Sequence, residues 1–564
     1  LGKDRNYLFK AKGLEKSIGK QPIYHPFCYL CDTITKDSID MTANDLLPLR
    51  KFPIGIQSFE DIRVKQFLYV DKSAYVYRMA TYGKAYFLGR PRRFGKSLLL
   101  STLEAYFLGK KHLFKGLAIE QWEKDWTVYP VLHMDLNARN YINGNSLTEM
   151  LNQYLEKWEA EYGDEKKDRQ PEERFAYIIE KIYRTTGKQV VVLVDEYDKP
   201  MLQAIGNDAL GDEYRNMLKA FYGVLKSADP YLRFVFLTGV TKFGQVSVFS
   251  DLNQLKDISM DERYATICGI TDEEMEANFR PDMERLAKKM NVAYEDIRDR
   301  MRRTYDGYQF CQNSEGVYNP FSVLNALDSQ EFSYYWFATG TPTFLVELLK
   351  GSDYDLRDLE GVEVTANQFA DYRAKVEDPV PVIYQSGYLT VKKYDEEFQL
   401  YKLGFPNEEV KYGFLSFLTP FYTNVSKEES VFYIGKFVRE LRSGDAEAFL
   451  TRLRAFFADF PYELNDKTER HYQVVFYLVF KLMGQFADVE VRSARGRADA
   501  VVKTSDYIYV FEFKLNGTVS DALRQIDEKG YLIPYTADSR KLVKVGVNFN
   551  AEERNLGDWE IIEV

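Results

Sequence analysis

The stretch QVVVLVDEYD, Gln189 to Asp198, leaves few folds open. An unbroken Val/Leu run ending in acids fits a strand buried on both faces, as strands are in parallel sheets covered by helices. KAYFLG (Lys84–Gly89), VYPVLHMDL (Val128–Leu136) and RFVFLTG (Arg233–Gly239) read as further short strands. Between them lie helical stretches. KSLLLSTLEAYFLG runs from Lys96 to the Gly109 that ends it, and a long charged helix pair reaches about Arg184. Strands alternating with helices predict an α/β fold: a parallel sheet with helices on both faces. Such sheets bind ligands at the carboxyl ends of their strands.

Two of those ends carry candidate chemistry. The loop RPRRFGKS, Arg90 to Ser97, joins the strand Tyr86–Leu88 to a helix. Backbone N–H groups and a helix N-terminus converging there make an anion site. In that reading Arg92, Arg93, Phe94 and Gly95 cradle the phosphates of a nucleotide. Lys96 adds positive charge at the β- and γ-phosphates, and Ser97 holds Mg2+. Arg90 stands where such loops usually begin with glycine, with Gly89 one residue earlier. Taken alone, the segment also fits a basic surface turn. Asp195 would hold Mg2+, directly or through water, and Glu196 would polarise the attacking water. A strand emerging into solvent explains one acid better than the DEYD cluster. Thr238 ends the next strand, followed by Thr241 and Lys242, and is a candidate sensor of the γ-phosphate.

A second constellation lies in GRADAVVKTSDYIYVFEFK, Gly496 to Lys514. If Ser505 and Asp506 form a two-residue turn, Thr504 pairs with Tyr507 and Asp499 falls opposite Glu512; other turns shift the pair by a residue or two. Lys514 shares their face because strand side chains alternate. Opposed carboxylates repel, and a divalent cation (Mg2+, or Mn2+) held by Asp499 and Glu512 removes that penalty. Two carboxylates and a lysine suit metal-assisted phosphodiester hydrolysis. The metal activates water, while Lys514 orients the nucleophile or stabilises developing charge. Glu469, at the start of the preceding helix, is a candidate extra ligand, and Gln525 on the following helix is placed to position water or Lys514. Arg492, Arg495, Arg497 and Lys503 cluster nearby as phosphate contacts. The plain alternative is a charged surface hairpin, and His471 reads as an ordinary helix residue.

A chain of 564 residues, 45% hydrophobic, is long enough for several domains. The boundaries expected are an N-terminal extension at 1–45 with the natural start at Met41, a P-loop ATPase domain at 46–270, a mostly helical lid or linker at 271–425, and a nuclease-like domain at 426–564. The net charge of −10 confines any nucleic-acid contact to local basic patches. Four cysteines are too few for a disulfide framework, and Cys28 and Cys31, with His25 nearby, lack a second ligand pair for zinc. No apolar run approaches the ~20 residues needed to cross a membrane. The N-terminus lacks a signal-peptide core. No membrane partner and a cytoplasmic location are expected.

FLGRPRRFGKSLLLSTL, VVLVDEYDKP, FLTGVTKF and WFATGTPTFL resemble the bacterial predicted AAA-ATPase-like family. GRADAVV, VFEFKL, ALRQIDEKGY and VGVNF resemble the PD-(D/E)XK nuclease domain fused to it, a restriction-endonuclease-like α/β fold. The resemblance implies ATP binding by Lys96 and Ser97 with Asp195 and Glu196 as the acidic motif, and makes Arg90 a family trait. It maps the nuclease pattern onto Asp499, Glu512 and Lys514. The expected function is an ATPase coupled to a metal-dependent nuclease acting on nucleic acid, DNA ahead of RNA. A nucleotide-switched interaction module that binds without cutting is the main alternative, and a small-molecule phosphotransferase leaves the C-terminal block unexplained. In a homo-oligomer, Arg92 or Arg93 could reach a neighbour's nucleotide.

Overall fold

The run Val190–Asp195 forms a strand with every residue buried, β3 of a five-stranded parallel sheet ordered β2-β3-β4-β1-β5. The other strands are β1 (Ala85–Gly89), β2 (Val131–Asp135), β4 (Leu232–Gly239) and β5 (Lys256–Asp257). This computed structural model describes residues 50–240, 254–339, 354–366, 378–423, 426–458, 469–485, 490–492, 499–515, 517–550 and 555–564, with single residues between some of these stretches. The expected extension at 1–45, with His25, Cys28, Cys31 and Met41, lies outside the described residues.

Two short helices, α1 (Phe59–Val64) and α2 (Ser73–Tyr82), precede β1. Helix α3 (Lys96–Phe107) leaves the phosphate-type loop and packs over β2 and β3. The charged pair is α4 (Gly144–Tyr162) and α5 (Pro171–Thr186), fastened by a buried Arg174–Glu159 ion pair at 2.6 Å. After α6 (Lys199–Gln203), helix α7 (Asp208–Ser227) completes this layer against α5.

The middle of the chain is mainly helical: α8 (Asp272–Met290), α9 (Tyr294–Tyr305), α10 (Pro320–Ser329), α11 (Tyr335–Ala338), α12 (Val380–Gln385) and α13 (Glu408–Thr423). A small antiparallel sheet, β6 (Glu363–Thr365), β8 (Leu400–Gly404) and β7 (Thr390–Asp395) in that order, lies among them. Helices α14 (Lys427–Arg442), α15 (Ala446–Ala458) and α16 (Glu469–Met483) then lead to a mixed sheet ordered β13-β12-β11-β10-β9. Its strands are β9 (Glu490–Arg492), β10 (Ala500–Lys503), β11 (Tyr507–Leu515), β12 (Lys541–Asn550) and β13 (Asn555–Glu563). Helix α17 (Val519–Glu528) crosses between β11 and β12, the only parallel neighbours among the described strands of this sheet. No described helix is long and apolar enough to cross a membrane.

Alternation along β11 sorts its two faces. Tyr509, Phe511 and Phe513 stack in a row, and Phe480 and Phe476 of α16 close over the last two at 5.4 and 4.2 Å between ring centres. Ile508 and Val510 pack instead with Leu523 and Ile526 of α17. One hydrophobic cluster runs from Phe59 through the middle helices to Leu556.

Within that core sits a carboxyl group, Glu409, fully buried on α13. It accepts from Ser322 Oγ and from the Trp336 backbone N–H, both at 2.7 Å. Burial pushes its pKa up to about 8, against the pull of those hydrogen bonds. The folded value lies above the unfolded one. The stability this group contributes is therefore complete below the unfolded pKa and is lost as pH rises through about 8. Glu409→Gln keeps an acceptor oxygen and abolishes the titration. Urea melts should show wild-type stability falling relative to the variant between roughly pH 5 and pH 8, and parallel curves would refute the assignment.

Candidate functional site

The loop between β1 and α3 is curled by two left-handed residues, Arg93 (φ 67°) and Gly95 (φ 93°). Gly95 stands at the N-cap of helix α3 and offers no side-chain cap, so the helix's first-turn N–H groups face into the loop. Lys96 is buried, and its Nζ donates to the carbonyls of Arg90 and Pro91 at 3.0 and 3.1 Å. The ammonium is thereby held inside the curl, among donors that suit an anion.

Asp195 ends β3 almost fully buried; its Oδ1 accepts from Thr238 Oγ1 at 2.5 Å and from the Glu196 N–H at 3.1 Å. Thr238 thus spends its hydroxyl on fixing the acid. Glu196 follows in a left-handed conformation (φ 48°). Burial raises its pKa, nearby Lys96 pulls it down, and Asp198 and Asp195 push it up again. One acid escaped the sequence reading. Asp135 ends β2 in register with Asp195, and the rule that ligands gather at strand carboxyl ends could have found it.

The remaining loop residues face the middle region. The Arg90 guanidinium is buried, donating to the carbonyls of Gly89, Ser259, Tyr264 and Ala265 and lying 4.0 Å from the Phe310 ring centre. Arg92 lies over Trp336 and reaches Tyr388 Oη at 3.3 Å, while the Trp336 indole donates to the Arg92 carbonyl at 3.0 Å. Phe94 is wedged against Tyr308 and Phe310, and exposed Arg93 covers Phe321. Beside Gly95 and Leu98 opens an apolar cavity of about 100 Å³ walled by Val70, Cys268, Ile270 and Phe279. Thr241 and Lys242 lie outside the described residues.

In the C-terminal sheet, β10 and β11 pair Ala500 with Phe511 and Lys503 with Ile508, the register that a Ser505-Asp506 turn requires. Thr504 N–H closes the turn onto the Tyr507 carbonyl at 2.8 Å. Asp499, just ahead of β10, comes level with Glu512, and its Oδ2 accepts from the Phe513 N–H at 2.8 Å. Glu512 is buried on the α17 face. Its Oε1 receives Lys514 Nζ at 3.1 Å and the Gln525 amide, and Lys514 also donates to Gln525 Oε1 at 2.5 Å. Its Oε2 is buried with no partner among the described residues. Burial raises the Glu512 pKa, the Asp499 charge adds to that, and Lys514 opposes it. Asp499, Glu512, Lys514 and Gln525 are therefore brought together. Arg495 and Arg497, and the side chains of Glu469, His471 and Arg492, lie outside the described residues.

Residues 53–249 match the family described as predicted AAA-ATPase (AAA-ATPase-like), and residues 467–559 match the PD-(D/E)XK nuclease superfamily. A protein of Azotobacter chroococcum mcd 1, described as an uncharacterized protein in the vnfD 5′ region, is 35% identical over 520 residues, spanning 90% of this chain and 98% of that protein. The chain belongs to the predicted AAA-ATPase-like family and carries a PD-(D/E)XK nuclease-superfamily domain.

Within this AAA-ATPase-like chain, the Arg90 position has a structural task that glycine could not perform. Arg90→Ala strands the carbonyls of Ser259 and Ala265 without their donor and leaves that of Tyr264 with the Ile267 N–H alone. The loss should be about 2–4 kcal/mol in denaturant melts. Arg90→Lys should recover only part of it, because an ammonium cannot span the same acceptors.

Proposed function

We propose that this protein hydrolyses ATP at the β1–α3 loop and cuts DNA at the β10–β11 hairpin, the first site controlling the second. The observation that carries the nuclease half is the buried Glu512 Oε2, level with Asp499 and without a partner among the described residues. A buried carboxylate oxygen without a donor is costly, and a divalent cation shared with Asp499 fits the vacancy in its bonding. Mg2+ or Mn2+ bound there would supply an activated water and charge for the phosphate. Lys514, oriented by Glu512 and Gln525, would meet developing negative charge, and Lys503 near Tyr535 offers a nearby phosphate contact.

At the other site, Lys96 would exchange its two loop carbonyls for the β- and γ-phosphates. Ser97 and Asp195 would hold the magnesium, and Glu196 would orient the attacking water. The apolar cavity beside Leu98 would take the base by stacking and exclusion of water.

Packing supports the coupling. Trp336 touches the loop at Arg92 and hangs from Glu409 of α13. Glu360 bridges Lys411 of α13 and Lys481 of α16 at 2.8 and 3.0 Å. Phe476 and Phe480 of that same α16 press on the phenylalanines flanking Glu512. A nucleotide-dependent shift of the loop therefore has a packed route to the hairpin.

The test uses the full chain with Mg2+ or Mn2+ and single-stranded, double-stranded and structured DNA, with and without ATP. Lys96→Ala should remove ATP turnover, and Asp499→Ala should remove cleavage while leaving ATP turnover in place. Losses of about 10²-fold or more are expected for each. ATP turnover unchanged in Lys96→Ala, or cleavage unchanged in Asp499→Ala, overturns the corresponding half. Metal-independent DNA binding without cleavage by the wild type would favour the switched binding module.

A further inference from the structure

The row of side chains at the strand ends contains an acid that the nucleotide reading leaves unused. Asp135 is in register with Asp195 on the neighbouring parallel strand, so the two project to one face of the sheet. That face lies under α3. His133, two residues earlier on β2 and therefore on the same side, meets Glu104 of α3 at 3.0 Å between Nδ1 and Oε2. The same helix begins with Lys96 and Ser97. Asp135 is half-buried and held in place: its N–H donates to Tyr154 Oη at 2.9 Å, and its Oδ1 accepts from the Asn137 N–H at 2.8 Å. Its Oδ2 has no partner among the described residues. Asp195 likewise uses Oδ1 for its bonds to Thr238 and Glu196.

We propose that Asp135 is a further residue of the nucleotide site, accepting through Oδ2 from a water of the magnesium shell and sharing that shell with Asp195. The assignment rests on the nucleotide reading above. Two carboxylates side by side in a poorly hydrated site oppose one another unless a cation lies near both. No trio of His, Cys, Asp or Glu among the described residues is gathered closely enough to ligate an ion directly. Acids acting through water suit magnesium, which keeps several of its waters when bound. The Glu104–His133 contact ties β2 to α3, so the strand bearing Asp135 and the helix bearing Ser97 keep their spacing.

The experiment compares wild type with Asp135→Asn and Asp135→Ala in the full chain, using Mn2+ and ADP as probes. Free Mn2+ is titrated by electron paramagnetic resonance in the presence of saturating ADP, and ADP binding is measured separately in EDTA. The apparent Mn2+ Kd should rise about tenfold in both variants, as for loss of an outer-shell partner. ADP binding in EDTA should stay within about twofold, a change worth under half a kcal/mol. Unchanged Mn2+ affinity in both variants overturns the assignment. So does a loss of ADP affinity in EDTA matching the loss for Mn2+, which marks structural damage. Wild-type protein that binds no ADP at all overturns the nucleotide reading itself, and Asp135 with it.

Discussion

Arg90 carries its charge into a place closed to solvent, where four backbone carbonyls and the face of Phe310 stand in for water. Burial lowers the pKa of the guanidinium, yet an arginine stays charged under any ordinary condition. The structure around it must therefore remain assembled, since a buried cation stripped of its acceptors is costly. Those acceptors come from the end of β1 and from the segment after β5, so the phosphate-type loop is tied at its first residue to the edge of the sheet. Its next residues are gripped from the other side. Trp336 takes the Arg92 carbonyl, and Gly387 lies so close to Pro91 that a Cβ there would approach the proline Cβ to 2.6 Å.

The loop therefore divides its residues between two tasks. Gly95 and Lys96 shape and charge the inner side, while Arg90 ties the loop to the sheet edge and Arg92 and Phe94 bind it to the middle of the chain. A glycine-led loop has only the first of these capacities. The C-terminal hairpin shows a comparable division, made by strand alternation. Aromatic residues of β11 face α16 and the shared core, and Glu512 and Lys514 face α17, where Gln525 completes their hydrogen bonds. Chemistry and mechanical connection lie on opposite faces of one strand.

Much of this was legible in residue order. A buried Val/Leu run, a GKS turn between strand and helix, and the Ser505-Asp506 turn each follow local rules. The hairpin register then follows by counting, which is why Asp499 and Glu512 could be paired in advance. Three features resisted. Arg92 and Phe94 look like phosphate-loop residues in sequence, but they meet aromatic partners more than 200 positions away. Thr238 reads as a candidate sensor of the γ-phosphate, and only the neighbouring strand shows its hydroxyl donated to Asp195. Asp135 sits at the end of a strand whose acid looked incidental until parallel register set it beside Asp195.

By itself, the sequence determined the class of each segment and the types of chemical group available, because hydrophobic period, turn residues and side-chain alternation act over a few residues at a time. Only the tertiary structure decided which groups stand together and which are already satisfied. Strand order, the burial of Arg90 and Glu409, and the unpaired oxygen of Glu512 all depend on segments distant in the chain. Their partners are chosen by packing, to which local pattern is blind.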